Sequence, residues 1–275
     1  VARLSNKLIT DVDLVDEVWS ERPSISHEPA FIYDEEYCGE SRASKLARLR
    51  SAMGDCQHHI ITSLDDIVWL FNIRGNDVDC NPVVLSYALI NQDNAILYVQ
   101  DNVVDVKTEA ILKRDSIIIR AYNDIYEDVK KLTGKVLLDD QIVNYQIFNN
   151  LNCEIKTAPN PTQHFKAIKN ETEIKATKNA HIKDGVAMTK FMYWLKNNVG
   201  KIELDEVTIS DKLAAFRKEQ NEFFDLSFDT ICGYKANAAL MHYKAEPGNC
   251  AKVTNEGMLL IDSGGQYLDG TIDTT

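Results

Sequence analysis

Residues 82–122 read PVVLSYALINQDNAILYVQDNVVDVKTEAILKRDSIIIRAY. PVVLSYALI and AILYVQ are short runs rich in β-branched and aromatic residues, and the polar turn NQDN lies between them, so they read as consecutive strands. VKTEAILKR reads as a helix and SIIIRAY as a further strand. The alternation continues on both sides. Upstream, SRASKLARLRSAMG predicts a helix that stops at Gly54, HHIITS a strand and LDDIVWLFN a short helix. Downstream, DIYEDVKKLTG reads as helix, KVLLDD as strand and QIVNYQIFNNL as helix. Strands alternating with helices predict an α/β layer built on a mixed sheet. The first 40 residues look irregular.

The composition changes at APNPT, residues 158–162, which reads as a linker. A length of 275 residues exceeds what one compact core usually needs and favours two domains. Beyond the linker, a long helix is expected over NETEIKATKNAHIKDGVAMTKFMYWLKNNVG. Ala187, Phe191 and Trp194 form one apolar column and Met188, Met192 and Leu195 the next, a wide stripe for burial against a sheet. Glu171 and Glu173 in the first turn and Lys196 in the last suit the helix dipole, and Gly200 closes the helix. A second helix, SDKLAAFRKEQ, is expected to start at a Ser210 cap. LSFDTICGY, AALMHY, GMLLIDSGG and GTIDTT read as strands. Together these predict two helices covering an antiparallel sheet that is left unfinished.

Net charge is −12 with a sequence pI of about 5.0, which argues against nucleic-acid binding, because phosphate contacts need clustered Lys and Arg. The longest apolar runs are too short to span a membrane. Cys38, Cys56, Cys80, Cys153, Cys232 and Cys250 are widely spaced with no C-x-x-C, so reduced thiols and a cytoplasmic location are expected. The sequon at Asn170 falls at an expected helix start and is discounted for glycosylation. The opening VARLSNKLIT carries neither an initiator Met nor an apolar signal core, as in an excised or processed segment.

Asp262 and Asp273 flank a glycine-containing turn and are separated by an even number of residues, so a hairpin can put both side chains on one face. A two-residue turn at Asp269-Gly270 pairs Gln266 with Asp273 and leaves Asp262 offset, unless a bulge at Gly264 and Gly265 corrects it. Aspartate is disfavoured in strands, and a buried carboxylate pair repels itself unless a proton or cation intervenes. Two readings follow. Either the pair holds a divalent cation, for which hard oxygen ligands suit Mg, Mn or Ca better than Zn, or both are solvent-facing turn residues. His242, in AALMHY, reads as a hydrogen-bonded structural residue or as a site residue. His58-His59 and the Asp77/Asp79 loop, which lacks the twelfth-position Glu of an EF-hand, read as structural. No nucleophile elbow, P-loop or dinucleotide fingerprint is present.

LDDIVWLFNIRGNDVDCNPVVLSYALI strongly resembles the middle domain of the three-domain aminopeptidase P, or Xaa-Pro aminopeptidase, family. LVDEVWSERP resembles the end of that family's first domain. AHIKDGVAMTKFMYWL, FRKEQNEFFDLSFDTI, HYKAEP and LLIDSGGQYLDGTIDTT resemble the start of its pita-bread catalytic domain. The implied fold class is α/β and α+β, a mixed-sheet creatinase-N-like middle domain followed by the first half of a pita-bread domain. The implied boundaries are 1–23 for the end of the first domain or a linker, 24–162 for the middle domain and 163–275 for the catalytic half. The resemblance makes Asp262 and Asp273 metal ligands and His242 a substrate-binding residue. It implies two divalent metal ions, usually Mn2+, a metallopeptidase (hydrolase) activity and a substrate with proline in second position. It also implies one His and two Glu ligands beyond Thr275, without which this segment would be inactive, and it admits a homodimer. The competing class is a non-catalytic pita-bread relative that binds peptides or proteins.

Overall fold

The structure, a computed structural model, describes residue 12 and residues 14–275. Of the segment expected to end a preceding domain, residues 1–11 and 13 lie outside the described residues. Helix α1, Leu14–Val18, precedes a short strand β1, Phe31–Ile32, and helix α2, Glu35–Cys38. Helix α3, Arg42–Ala52, is capped by the Ser41 side chain, which accepts from the Ser44 N–H. Strand β2, His58–Ile61, leads into α4, Leu64–Phe71, and β3, Ile73–Arg74. Strands β4, Ser86–Asn91, and β5, Ala95–Val99, form the hairpin read from residues 82–100. Helix α5, Val106–Arg114, is capped by Asp105. Next come β6, Ile117–Ala121, α6, Ile125–Asp128, and β7, Lys135–Leu138. Helix α7, Tyr145–Asn150, begins later than expected because the Asn144 side chain caps it by accepting from the Ile147 N–H.

Strand β8, Glu154–Thr157, which the sequence reading passed over, completes a six-stranded sheet of order β6-β5-β4-β2-β7-β8. The β2–β4 and β4–β5 pairs are antiparallel, and the others are parallel. The sheet is mixed, as the alternation predicts. Its two faces follow from the two-residue period of strands. Ala88, Ile90, Ala95, Leu97 and Val99 pack on one side with Leu46, Leu49, Ile67, Leu70 and Leu112 from α3, α4 and α5. Leu89, Tyr98, Val136 and Leu138 pack on the other with Ile125, Val129 and Ile147. Each fully buried aliphatic side chain contributes roughly 1.5–3 kcal/mol.

The stretch expected as a linker is packed. Pro161 opens helix α8, Pro161–Ala167, while Asn160 and Thr162 are buried, and the Asn160 side-chain amide donates to the buried Asp66 carboxylate at 3.2 Å. Helix α9, Glu171–Asn198, then runs the length of the second unit. Asn170 forms a capping box with Glu173, and its side-chain amide also donates to the Cys38 carbonyl at 2.7 Å, which ties α9 to α2. Asn170→Ala removes both interactions. It is expected to cost about 1–2 kcal/mol, read as a lower urea midpoint with an unchanged slope. Ala187 and Phe191 are buried as expected, whereas Met192 is exposed, so the apolar stripe is narrower than its sequence pattern.

Helix α10, Glu206–Lys218, starts a turn before Ser210, because Asp205 and Thr208 cap each other reciprocally and Ser210 instead donates to the Glu206 carbonyl. Of LSFDTICGY only Ile231–Tyr234 forms a strand of its own, β10; its first residue, Leu226, ends the preceding strand β9, Phe223–Leu226, which belongs to a different sheet. AALMHY is not a strand: a 3-10 turn at Lys235–Ala239 folds the chain back. The remaining strands are β11, Leu259–Asp262, β12, Gly265–Tyr267, and β13, Gly270–Thr271. Thus α9 and α10 back two small antiparallel sheets, β10-β11 and β13-β12-β9, in place of one.

Candidate metal centre

The two aspartates are placed by the last hairpin. Its loop is Leu268-Asp269, one residue earlier than expected, because Tyr267 pairs with Gly270 and Gln266 with Thr271. The same register continues to the Ser263–Thr274 bridge, where each residue's N–H donates to the other's carbonyl at 2.9–3.0 Å. No bulge separates these pairs. Asp262 therefore lies across from Thr275, and Asp273 across from Gly264. Asp262, Gly264, Asp273 and Thr275 share one face, and the carboxylates are diagonal neighbours whose Cα atoms are about 7–8 Å apart in ordinary antiparallel geometry. Gly264 is required there, since a Cβ would collide with the Ile272 carbonyl oxygen.

Asp262 is half-buried and accepts from the Thr275 hydroxyl at 2.9 Å, while Asp273 is exposed. Such a pair fits a hard divalent cation: its donors are all oxygen and its charge is otherwise unopposed within the hairpin. Among the described residues, no group of three or more His, Cys, Asp or Glu side chains converges to hold a metal ion, so the two aspartates alone would supply only part of a ligand set.

The hairpin is held from behind. The Asp269 carboxylate accepts from Lys183 at 2.7 Å and from the Asn179 amide at 2.6 Å, both on α9. Gly270 lies against the same helix, where a Cβ would sit 3.0 Å from the Ala180 Cβ. From the first unit, the Tyr33 hydroxyl donates to the Leu268 carbonyl, and the Gln266 amide donates to the Cys80 carbonyl at 3.0 Å. Burial pushes the Tyr33 phenol up to about 12, so it stays a donor through the physiological range. A cleft of about 520 Å³ opens at this joint, lined by Tyr33, Trp69, Arg74, His181 and Gln266 among others; Asp262, Asp273 and His242 do not line it.

His242 is exposed and follows the 3-10 turn with a left-handed backbone, φ 53°. The other candidates are structural. Burial pushes the His59 imidazole down to about 4, so it is neutral, and its Nδ1 is 3.0 Å from the Leu137 carbonyl oxygen. Asp77 accepts from the Ser26 hydroxyl and from the Glu28 and Leu85 N–H groups, which ties down its own loop. Glu206 carries no distinguishing mark in the sequence. A glutamate in a first helical turn ordinarily reads as an exposed residue favoured by the dipole, yet this one is fully buried.

A mixed sheet clad by helices on both faces, joined to a long helix behind a carboxylate-bearing hairpin, defines a creatinase-type N-terminal unit followed by part of a pita-bread metallopeptidase fold. The chain belongs to the creatinase/prolidase N-terminal domain family, whose model matches residues 21–173, and residues 175–275 match metallopeptidase family M24. It is similar to proteins named "Probable Xaa-Pro aminopeptidase P" from Chaetomium globosum, at 37% identity over 96% of this chain and 45% of that protein, and from Talaromyces marneffei, at 38% identity over 98% and 44%. The chain spans about half the length of the curated relatives it matches. Among solved structures, the X-prolyl aminopeptidase of Caenorhabditis elegans, described as a cytosolic enzyme with a di-nuclear active site, matches with a TM-score of 0.89 at 30% identity, covering 95% of this chain and 45% of that one. An Xaa-Pro dipeptidase from Bacillus anthracis, at 19% identity and a TM-score of 0.63 over 85% of this chain and 63% of that one, shares the fold.

Proposed function

We propose that the polypeptide carrying this chain is a metal-dependent aminopeptidase that releases the N-terminal residue from peptides with proline in second position. The observation that carries this reading is the hairpin register, which makes Asp262 and Asp273 diagonal neighbours on one face. The names of the similar proteins and the di-nuclear site described for the Caenorhabditis elegans structure support it.

Asp262 and Asp273 would supply oxygens to two divalent ions, with manganese as the proposed metal. When bound, such ions polarise the scissile carbonyl and lower the pKa of an attacking water. The chain's own contribution is positional: the Lys183 and Asn179 clamp on Asp269 fixes the hairpin, and His242 faces solvent, where a peptide can reach it. Two carboxylates do not complete the coordination of two ions, so the 275 residues alone are expected to bind metal weakly and hydrolyse nothing. We place the catalytic portion at residues 163–275, the middle unit at 24–162 and the end of a preceding domain at 1–23. The six free cysteines among the described residues suit the cytoplasm, and a homodimer is compatible with this reading. Among those residues, no helix is long and apolar enough to cross a membrane.

The test is hydrolysis of short peptides by the full polypeptide that carries these residues. Release of the first residue is expected only when proline is second. Activity should disappear with a chelator and return with Mn2+. Cleavage that ignores the second residue, or that survives chelation, would overturn the proposal.

A further inference from the structure

We propose that Glu206 is a positioning residue for His242, acting through the Tyr243 hydroxyl. The inference rests on the peptidase reading above and deepens it. Residues 235–250 contain no buried side chain, and Leu240 and Met241 are 57% and 89% exposed. Apolar packing therefore cannot fix the conformation of this segment. Hydrogen bonds do: besides the Lys235 N–H to the Met258 carbonyl and the Lys244–Asp229 ion pair, four donors converge on one carboxylate.

Glu206, the first residue of α10, is fully buried. Its Oε1 accepts from the Tyr234 N–H at 2.7 Å and from the Asn237 side-chain amide at 3.0 Å. Its Oε2 accepts from the Tyr243 hydroxyl at 2.7 Å and from the Ala251 N–H at 2.8 Å. The Asn237 amide also donates to the Tyr243 oxygen at 3.0 Å. One side chain on the rigid helix thus fastens both ends of the segment, residues 234 and 251, and two points within it, one adjacent to His242.

The backbone shows what this fastening does. Lys235 and His242 both hold left-handed conformations, φ 51° and 53°. Residues with a Cβ rarely adopt that region, and they stay there only when their surroundings over-determine it. Burial alone would raise the Glu206 pKa, but the donors from Ala251, Tyr234, Tyr243 and Asn237 outweigh it and leave the group below its ordinary value. It is therefore a carboxylate at neutral pH. A glutamine would turn an amide donor toward groups that are themselves donors. Burial first, and then the Glu206 carboxylate, push Tyr243 up to about 12, so the phenol remains the donor.

The experiment uses the full polypeptide with an Xaa-Pro peptide. Tyr243→Phe removes one donor and leaves the carboxylate its other three, so the variant is expected to fold with unchanged metal content and to lose roughly tenfold to a hundredfold in kcat/KM, the scale of a misplaced side chain. Glu206→Gln should lose more. His242→Ala should match or exceed the Tyr243→Phe loss, and the double variant Tyr243→Phe/His242→Ala should be no worse than His242→Ala alone. Wild-type kinetics in Tyr243→Phe, or losses that multiply in the double variant, would overturn the proposal. A second readout does not need activity: the imidazole NMR signal of His242, identified by its disappearance in His242→Ala, should move in Tyr243→Phe. An unmoved signal also refutes the positioning role. If wild-type protein fails to cleave Xaa-Pro peptides, the peptidase reading falls, and this signal alone decides whether Glu206 and Tyr243 place His242.

Discussion

Replacing Asp262 with asparagine is expected to lower Xaa-Pro hydrolysis by on the order of a thousandfold in the full polypeptide. Asparagine is nearly isosteric and its Oδ1 can still accept the Thr275 hydroxyl, so strand pairing with Ile231 and the local fold should persist. What is lost is one negative charge and one oxygen of the proposed metal centre. A metal ion contributes several kcal/mol of charge stabilisation to the transition state, and each 1.36 kcal/mol is tenfold in rate. Asp273→Asn should behave alike, since the hairpin register puts both residues on one face. The measurement is kcat/KM together with bound manganese per chain. Loss of activity with loss of metal is the expected pair of results. Full turnover in either variant would remove both aspartates from the proposed centre.

Asp184→Ala is expected to destabilise the second unit by about 3–5 kcal/mol, the cost of leaving a buried charge without its partner. Arg217 is fully buried, and its Nε and Nη2 donate to the two Asp184 oxygens at 2.7 and 3.1 Å. The Tyr267 hydroxyl donates to the same carboxylate at 3.0 Å. Asp184 lies on α9, Arg217 on α10 and Tyr267 on β12, so one carboxylate locks the two helices to the hairpin that carries the aspartates. Removing it leaves the guanidinium no carboxylate among the described residues, where Nη1 already has no hydrogen-bond partner. Because whole domains are stable by only about 5–15 kcal/mol, such a loss should be plain in a urea titration followed by circular dichroism. The double variant Asp184→Leu/Arg217→Met, which removes both charges, should recover much of the stability. A single variant within about 1 kcal/mol of wild type would show that the pair does not hold these elements together.

The middle unit was the most legible part of the sequence. Its strands and helices are short and strongly patterned, and β2, β4, β5 and β7 place alternate residues on two separate cores. Errors fell where a side-chain interaction outranked the pattern. Asp205 and Thr208 start α10 ahead of Ser210, and Asn144 delays α7. AALMHY has the composition of a strand, but Glu206 draws Tyr234, Asn237 and Tyr243 to itself and folds the segment back. No local signal announces a buried carboxylate whose donors lie 28 to 45 residues away.

For a two-residue loop, sequence alone puts Asp262 and Asp273 on one face. Any two-residue loop in this turn gives the same parity, because sliding the loop by one residue moves the register by two and side chains alternate with a period of two. Only the tertiary structure decided how far apart along the strands they sit. Lys183 and Asn179 bind the Asp269 carboxylate and Gly270 packs against Ala180, so the loop closes at Leu268-Asp269, and the aspartates come within one diagonal of each other. Helix α9 supplies those contacts from some 90 residues upstream, beyond the reach of any local pattern.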